Sequence, residues 1–285
     1  MSYPIKSLTN IPLDTIFRAF GEAFKDYEIQ LDKEGFRTMI QRRGFRPELS
    51  FAAFDDENII AFTLNGIGNF NGKKTAYDTG TGTIKEYRGQ GLATKIFEYS
   101  LPILKEEGIE QYLLEVLQRN TKAVSVYQKL GFKTTRSFNY FVQDMDKMVL
   151  KTKSLDANYQ VHTITLSDII ASQTFFDFIP SWQNSFEAIN RKTSDFIILG
   201  AFCEKQLIGY AILEPTSGDL TQIVIHPEHR RKGIASYLLG EALKKSKHSD
   251  IKIINTEENC NSINDFLVAN AIPLAGKQYE MIRTL

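Results

Sequence analysis

Thr79-Gly80-Thr81-Gly82-Thr83-Ile84-Lys85-Glu86-Tyr87-Arg88-Gly89-Gln90-Gly91-Leu92-Ala93 is the stretch that decides the fold. It reads as a strand end, a turn rich in backbone donors, and the start of a helix. Arg88 to Ala93 has the form Arg-x-x-Gly-x-Ala. Gly89 and Gly91 carry no Cβ, so a ligand can come close to the main chain. The first amides of the following helix have no partner inside it, and with the helix dipole they favour a pyrophosphate. Arg88 offers a charge-assisted contact to the same anion. Other nucleotide loops fit badly. Gly89-Gln90-Gly91-Leu92-Ala93-Thr94 ends in Thr where a dinucleotide fingerprint wants Gly or Ala, no acidic residue on a second strand follows at the usual spacing, and the chain has no Gly-Lys-Ser/Thr. A helix start that holds no ligand is the plain alternative for so short a pattern.

The residues downstream favour the ligand reading. Ile109 to Gln118 reads as a strand, followed by Asn120, Ala123, Tyr127, Gly131 and Phe132 in Asn-x-x-Ala-x-x-x-Tyr-x-x-x-Gly-Phe. Asn120, Ala123 and Tyr127 recur on roughly one helical face. Loop, strand, helix and Gly-Phe turn together resemble the acetyl-coenzyme A motif of the GNAT acetyltransferase superfamily. The resemblance implies an α/β fold of the α+β mixed-sheet kind, with acetyl-CoA as co-substrate, no metal, and direct transfer to a primary amine in a ternary complex. It also implies that the backbone of Gly82, Thr83 and Ile84 meets the thioester carbonyl and pantetheine. Arg88, Gly89, Gln90, Gly91, Leu92 and Ala93 would hold the pyrophosphate. Asn120 would contact pantetheine, cap the helix, or do both.

The motif occurs twice. His226 to Ala235 again carries Arg-x-x-Gly-x-Ala, with Arg230, Gly233 and Ala235 standing 142 positions after Arg88, Gly91 and Ala93. Repeats of this kind indicate two domains of one fold. The expected division is an N-terminal domain over 1–150, a polar linker over 151–158 and a C-terminal domain over 159–285. Arg230, Arg231, Gly233 and Ala235 are the second set of candidate coenzyme contacts.

The copies differ where chemistry is needed. Acetyl transfer from a thioester passes through an oxyanion and expels a thiolate. Backbone amides can polarise the carbonyl, and a phenol can protonate the departing sulfur. Tyr127 is the candidate acid, with a packed helix tyrosine as the plain alternative. Laying Asn120 over Asn259 puts Tyr127 on Phe266, Gly131 on Asn270 and Phe132 on Ala271, so the second copy has no phenol. For a base, Glu115 on the strand beside the cleft and Asp78 on the strand before the loop can each hold a water chain; a polar edge residue is the plain reading of both. A non-catalytic coenzyme A-binding or sensing protein is the rival function, and the full motif around Tyr127 argues against it.

The rest of the chain sets bounds. Formal net charge is zero over 285 residues, with 42% hydrophobic and 24% charged, so neither nucleic acid nor an anionic membrane is an expected partner. No apolar run reaches about 18 residues. Two cysteines, Cys203 and Cys260, and no secretory leader suggest reduced thiols in a cytoplasm. His226 and His229 flank a Pro-Glu turn with no third ligand near, so no metal is expected. Two helices near 13–27 and 32–44, with Phe36, Phe45, Tyr27, Arg42, Arg43 and Arg46, form core and solvated surface or else part of an acceptor wall. The acceptor is a small molecule or a peptide carrying an amine.

Overall fold

The computed structural model describes residues 3–26, 30–150, 155–170 and 176–285. Tyr27, part of the expected linker (151–154) and Phe175 lie outside them. The chain forms two compact units, one of Met1–Thr135 with Tyr279–Leu285, the other of Arg136–Gln278.

Unit 1 contains β1 (Ile5–Ser7), α1 (Leu13–Phe24), α2 (Lys33–Arg42), β2 (Phe51–Asp55), β3 (Asn58–Phe70), β4 (Lys73–Thr83), α3 (Leu92–Glu106), β5 (Gln111–Leu117) and α4 (Thr121–Lys129). Unit 2 contains most of β6 (Lys133–Asp144), then β7 (Tyr159–Thr163), α5 (Leu166–Ile170), α6 (Phe186–Asn190), β8 (Ile197–Cys203), β9 (Gln206–Glu214), β10 (Asp219–Ile225), α7 (Ile234–Leu243), β11 (Asp250–Glu257) and α8 (Asn261–Ala269). The last strand, β12 (Leu274–Thr284), returns its final residues to unit 1. Strand order is β1-β2-β3-β4-β5-β12 in the first unit and β6-β11-β10-β9-β8-β7 in the second.

This differs from the expected boundaries. The strand that follows Gly131-Phe132 does not close the first half: β6 pairs antiparallel with β11, from Asp250↔Asp144 to Glu257↔Phe138. Unit 1 is completed instead by the C-terminus, where Met281 is fully buried among Phe97, Tyr112, Leu114 and Phe132. Leu285 N–H donates to Glu110 O at 3.0 Å.

Local signals explain most elements. Asp32 caps α2, its side chain accepting from Gly35 N–H. Ile16, Ala19 and Ala23 of α1 and Phe36 and Ile40 of α2 are buried against β2 and β3 residues, each large side chain contributing about 1.5–3 kcal/mol. Residues 66–74 look like a glycine-rich turn in sequence, yet β3 runs on to Phe70. The turn is only Asn71-Gly72, with φ of 53° and 78°, a pair suited to a tight hairpin. α3 runs unbroken through Pro102. Ser167 lies inside α5, and Thr165 N–H ahead of the helix donates to Asp168 at 2.7 Å.

Candidate active site

The site is built where two parallel strands stop pairing. β4 and β5 are in register only over Thr75↔Gln111, Ala76↔Tyr112 and Tyr77↔Leu113, so Asp78 to Thr83 lies past the last pair with β5. On its other side β4 carries a bulge: Leu64 pairs with Gly80 and Asn65 with Asp78, leaving Thr79 over. A bulge re-aims the side chains on either side of it. Unit 2 repeats this design. β10 and β11 meet at Asp219↔Lys252, and Thr221 is the residue left over. Thr221 stands 142 positions after Thr79, the same offset as the loops.

The loops follow. Gly91 and Gly233 precede α3 and α7 with φ of 71° and 84°, a conformation that favours glycine. A Cβ at Gly89, Gly91 or Gly233 would meet nothing within 4 Å, so the main chain faces open space there. Lys95 N–H donates to Gly91 O at 3.0 Å, which leaves the amides of Leu92, Ala93 and Thr94 ahead of the helical ladder. That cradle fits a pyrophosphate. Arg231 takes the place of Gly89 in the second copy and adopts φ 63°.

The side chains of Arg88 and Arg230 are held by protein groups. Arg88 Nε donates to Thr83 O at 3.1 Å and Nη2 to Ala23 O at 2.9 Å, with Asp26 3.5 Å away. Arg230 Nε donates to Ile225 O at 3.0 Å, and Nη2 pairs with Asp177 at 2.8 Å. Both guanidinium groups tie their loop to the end of the preceding strand. Ile84 N–H donates to Ile60 O at 2.9 Å and is thereby occupied. Gly82 is a glycine for packing reasons: a Cβ would lie 2.7 Å from Phe62 Cζ and 2.9 Å from Ala23 Cβ.

Across the opening, α4 presents Tyr127. Asn120 caps that helix, its side chain accepting from Ala123 N–H at 3.2 Å. Tyr127 Oη donates to Asp78 Oδ2 at 3.0 Å, and its ring meets Phe132 edge-on. Thr81 Oγ1 also donates to Asp78 Oδ2, at 2.9 Å. Glu115 accepts from Tyr77 Oη at 3.2 Å. Of the two candidate carboxylates, Asp78 is therefore the one seen hydrogen-bonded to Tyr127. Asp78 Oδ1 is sealed from solvent without a hydrogen-bond partner among the described residues. Burial pushes the Asp78 carboxyl up to about 6, while hydrogen bonds from Thr81 and Tyr127, then the Gly80 amide and the Arg43 charge, pull it down. Arg43, expected on a solvated face, donates from Nη1 to the bulge carbonyl of Thr79 at 2.8 Å. Arg46 pairs with Glu48.

In unit 2 the matching place is apolar. The turn after α8 repeats that after α4: Phe132 N–H donates to Tyr127 O and Ile272 N–H to Leu267 O. The left-handed residues are Gly131 and Ala271. Leu267, not Phe266, thus holds the place of Tyr127, a correction of one residue. The cause is a bulge in β11, where Asn255, at φ 58°, is inserted between the pairs Ile253↔Phe141 and Thr256↔Asn139. Either alignment leaves the second copy without a hydroxyl. A cleft of about 440 Å³ opens beside this loop, lined by apolar residues such as Ile225, Ile253 and Phe266 and by polar ones such as Asp177, His229 and Ser262. This cavity and the phenol–carboxylate pair are therefore in different units. Among the described residues no group of His, Cys, Asp and Glu is arranged to hold a metal, and no helix is long and apolar enough to cross a membrane.

Comparison with known proteins agrees with this geometry. The model of the acetyltransferase (GNAT) family matches residues 13–132 and 163–266. N-alpha-acetyltransferase 30 of Schizosaccharomyces pombe is 34% identical over 102 residues, 35% of this chain and 68% of that protein. N-alpha-acetyltransferase MAK3 of Arabidopsis thaliana is 29% identical over 106 residues, 37% of this chain and 56% of that protein. A tandem GNAT protein from the clavulanic acid biosynthesis pathway shares the fold at a TM-score of 0.76 and 12% identity, over 99% of this chain and 98% of its own. The twice-built loop, the paired bulges and the two matched regions lead to one statement: the chain belongs to the acetyltransferase (GNAT) family and is an acetyl-CoA-dependent N-acetyltransferase with two domains of that family in tandem.

Proposed function

We propose that unit 1 carries the reaction, moving an acetyl group from acetyl-CoA to a primary amine by direct transfer in a ternary complex. The observation that carries this reading is the phenol of Tyr127, held 3.0 Å from Asp78 at the opening between β4 and β5. Tyr127 protonates the departing sulfur as general acid. The exposed amides from Gly89 to Thr94 take the pyrophosphate, and the main chain of Gly82 and Thr83 lies along the pantetheine arm. Glu115 remains a polar neighbour that orders water through Tyr77. Unit 2 keeps the loop, but Leu267 replaces the phenol and the Asp177 carboxylate already sits on Arg230, so it binds coenzyme without turnover or has a structural role. The relatives' names support an α-amino group as the acceptor, at a peptide N-terminus.

A symmetric pair of variants tests the placement. Gly91→Val and Gly233→Val each put a branched side chain into open space at a left-handed residue, with the same backbone cost. Thiol release from acetyl-CoA is measured with a panel of free-N-terminus peptides and lysine. Gly91→Val abolishes it and Gly233→Val leaves it within about threefold. The reverse result places the reaction in unit 2, and no turnover with any amine favours a non-catalytic protein.

A further inference from the structure

Asp78 stands behind Tyr127, and the transfer described above gives it no role. Oδ2 accepts from Tyr127 and Thr81, while Oδ1 is sealed from solvent. The charged and titratable groups that face it come from every element packed around it. They are Arg43 just past α2, Tyr77 on its own strand β4, Tyr112 on β5, and Tyr127 on α4, with Glu115 on β5 joined through Tyr77. An ionised carboxylate 3.0 Å from the phenol oxygen strongly disfavours a phenolate there. Tyr127 therefore gives up its proton readily only when another arrives at the same oxygen. Asp78 Oδ2, already hydrogen-bonded to Oη, is placed to exchange one with it.

We propose that Asp78 is the proton store of Tyr127, so that one phenol serves the reaction first as base and then as acid. As the neutral amine nitrogen bonds to the carbonyl carbon, an N–H proton passes to Tyr127 Oη while the phenol's own proton passes to Asp78 Oδ2. When the carbon–sulfur bond breaks, Tyr127 gives a proton to sulfur and Asp78 returns its proton to Oη. The products are the amide and the free thiol, with Asp78 again a carboxylate and Tyr127 again a phenol. No solvent proton is needed. Asp78 touches no reacting atom in this scheme: it is a positioning residue that acts through Tyr127. Its carboxyl, lifted by burial to about 6, sits where a store can both take a proton from the acylated nitrogen and release one to a thiolate.

The inference rests on Tyr127 being the acid, and the test separates the two. In wild type, kcat at saturating acetyl-CoA and a free-N-terminus peptide falls as pH drops through the range near 6, because the store is then already filled. Asp78→Asn lowers kcat about 100-fold, changes the KM for acetyl-CoA by less than about threefold, and removes that limb. Thr81→Val removes a hydrogen bond that favours the ionised carboxylate, so it moves the limb to higher pH while activity at pH 8 persists. A limb that stays in Asp78→Asn, or does not move in Thr81→Val, overturns the proposal. So does Asp78→Asn at wild-type rate with Tyr127→Phe inactive, which leaves Tyr127 as an acid supplied from elsewhere. Tyr127→Phe at wild-type rate ends the underlying reading. Should Asp78→Asn fail to fold, Thr81→Val decides alone.

Discussion

Replacing Gly82 with alanine tests whether β4 is glycine-rich for packing reasons. Gly82 is extended and lies directly opposite Phe62 on β3. An added Cβ would come within 2.7 Å of Phe62 Cζ, 3.1 Å of Phe62 Cε1 and 2.9 Å of Ala23 Cβ. Neither neighbour can step aside easily, since Phe62 and Ala23 are 0% and 3% exposed. Overpacking of this kind costs about 1–3 kcal/mol. For a unit of this size that is a loss of about 3–10 °C in its unfolding temperature. Gly80→Ala is the control two residues away: its Cβ would meet only Phe20 Cε2, at 3.4 Å, an ordinary contact, and its cost stays below about 0.5–1 kcal/mol. The assay is thermal unfolding by calorimetry, reading the transition of unit 1 separately because a two-unit chain need not melt in one step. Equal losses in the two variants would refute the reasoning, as would a Gly82→Ala variant as stable as the parent.

Two further predictions concern stability. Asp78, at about 6 when folded against a usual value near 3.8, binds more protons in the native than in the unfolded chain between those values, so it costs stability as pH rises through that window. Asp78→Asn is therefore more stable than the parent at pH 8, by about 2–3 kcal/mol from the size of the shift, and the gap closes below pH 4; a constant gap across pH counts against a buried carboxylate. Met281→Ala, in the final strand, empties part of the core around Phe97, Tyr112 and Phe132 and costs about 2–5 kcal/mol. Hydrogen exchange should rise in β5 and α3 of unit 1, and a rise confined to unit 2 would contradict the assignment of Tyr279–Leu285 to unit 1.

What the sequence revealed and what it hid follow a physical pattern. The loops were legible because a left-handed glycine before a helix is a local demand, met by Gly91 and Gly233 three positions after their arginines. The two N-terminal helices were legible because hydrophobic periodicity is local as well. The placement of the last strand was not, since no local property of Leu274–Thr284 says which sheet its edge will join. Counting between the copies failed by one at Phe266 because a single bulge residue, Asn255, leaves the hydrophobic pattern unchanged on both sides. The Asn71-Gly72 hairpin carried a readable signal that the glycines before it obscured. The bond from Tyr127 to Asp78 spans 49 positions and depends on the bulge at Thr79, so only the fold brings the two together. The contacts of the loop arginines were not legible, because their partners are set by the fold. Their side chains bind strand-end carbonyls, which leaves the main chain to meet the anion.

A single phenol in unit 1, on this reading, protonates the departing sulfur. Single-turnover thiol release by Tyr127→Phe, with acetyl-CoA binding measured on the same sample, probes that step with the fewest intermediates. The expected rate is at least about 100-fold below the parent, with coenzyme affinity within about threefold. A rate within about threefold of the parent, at unchanged affinity, would contradict it.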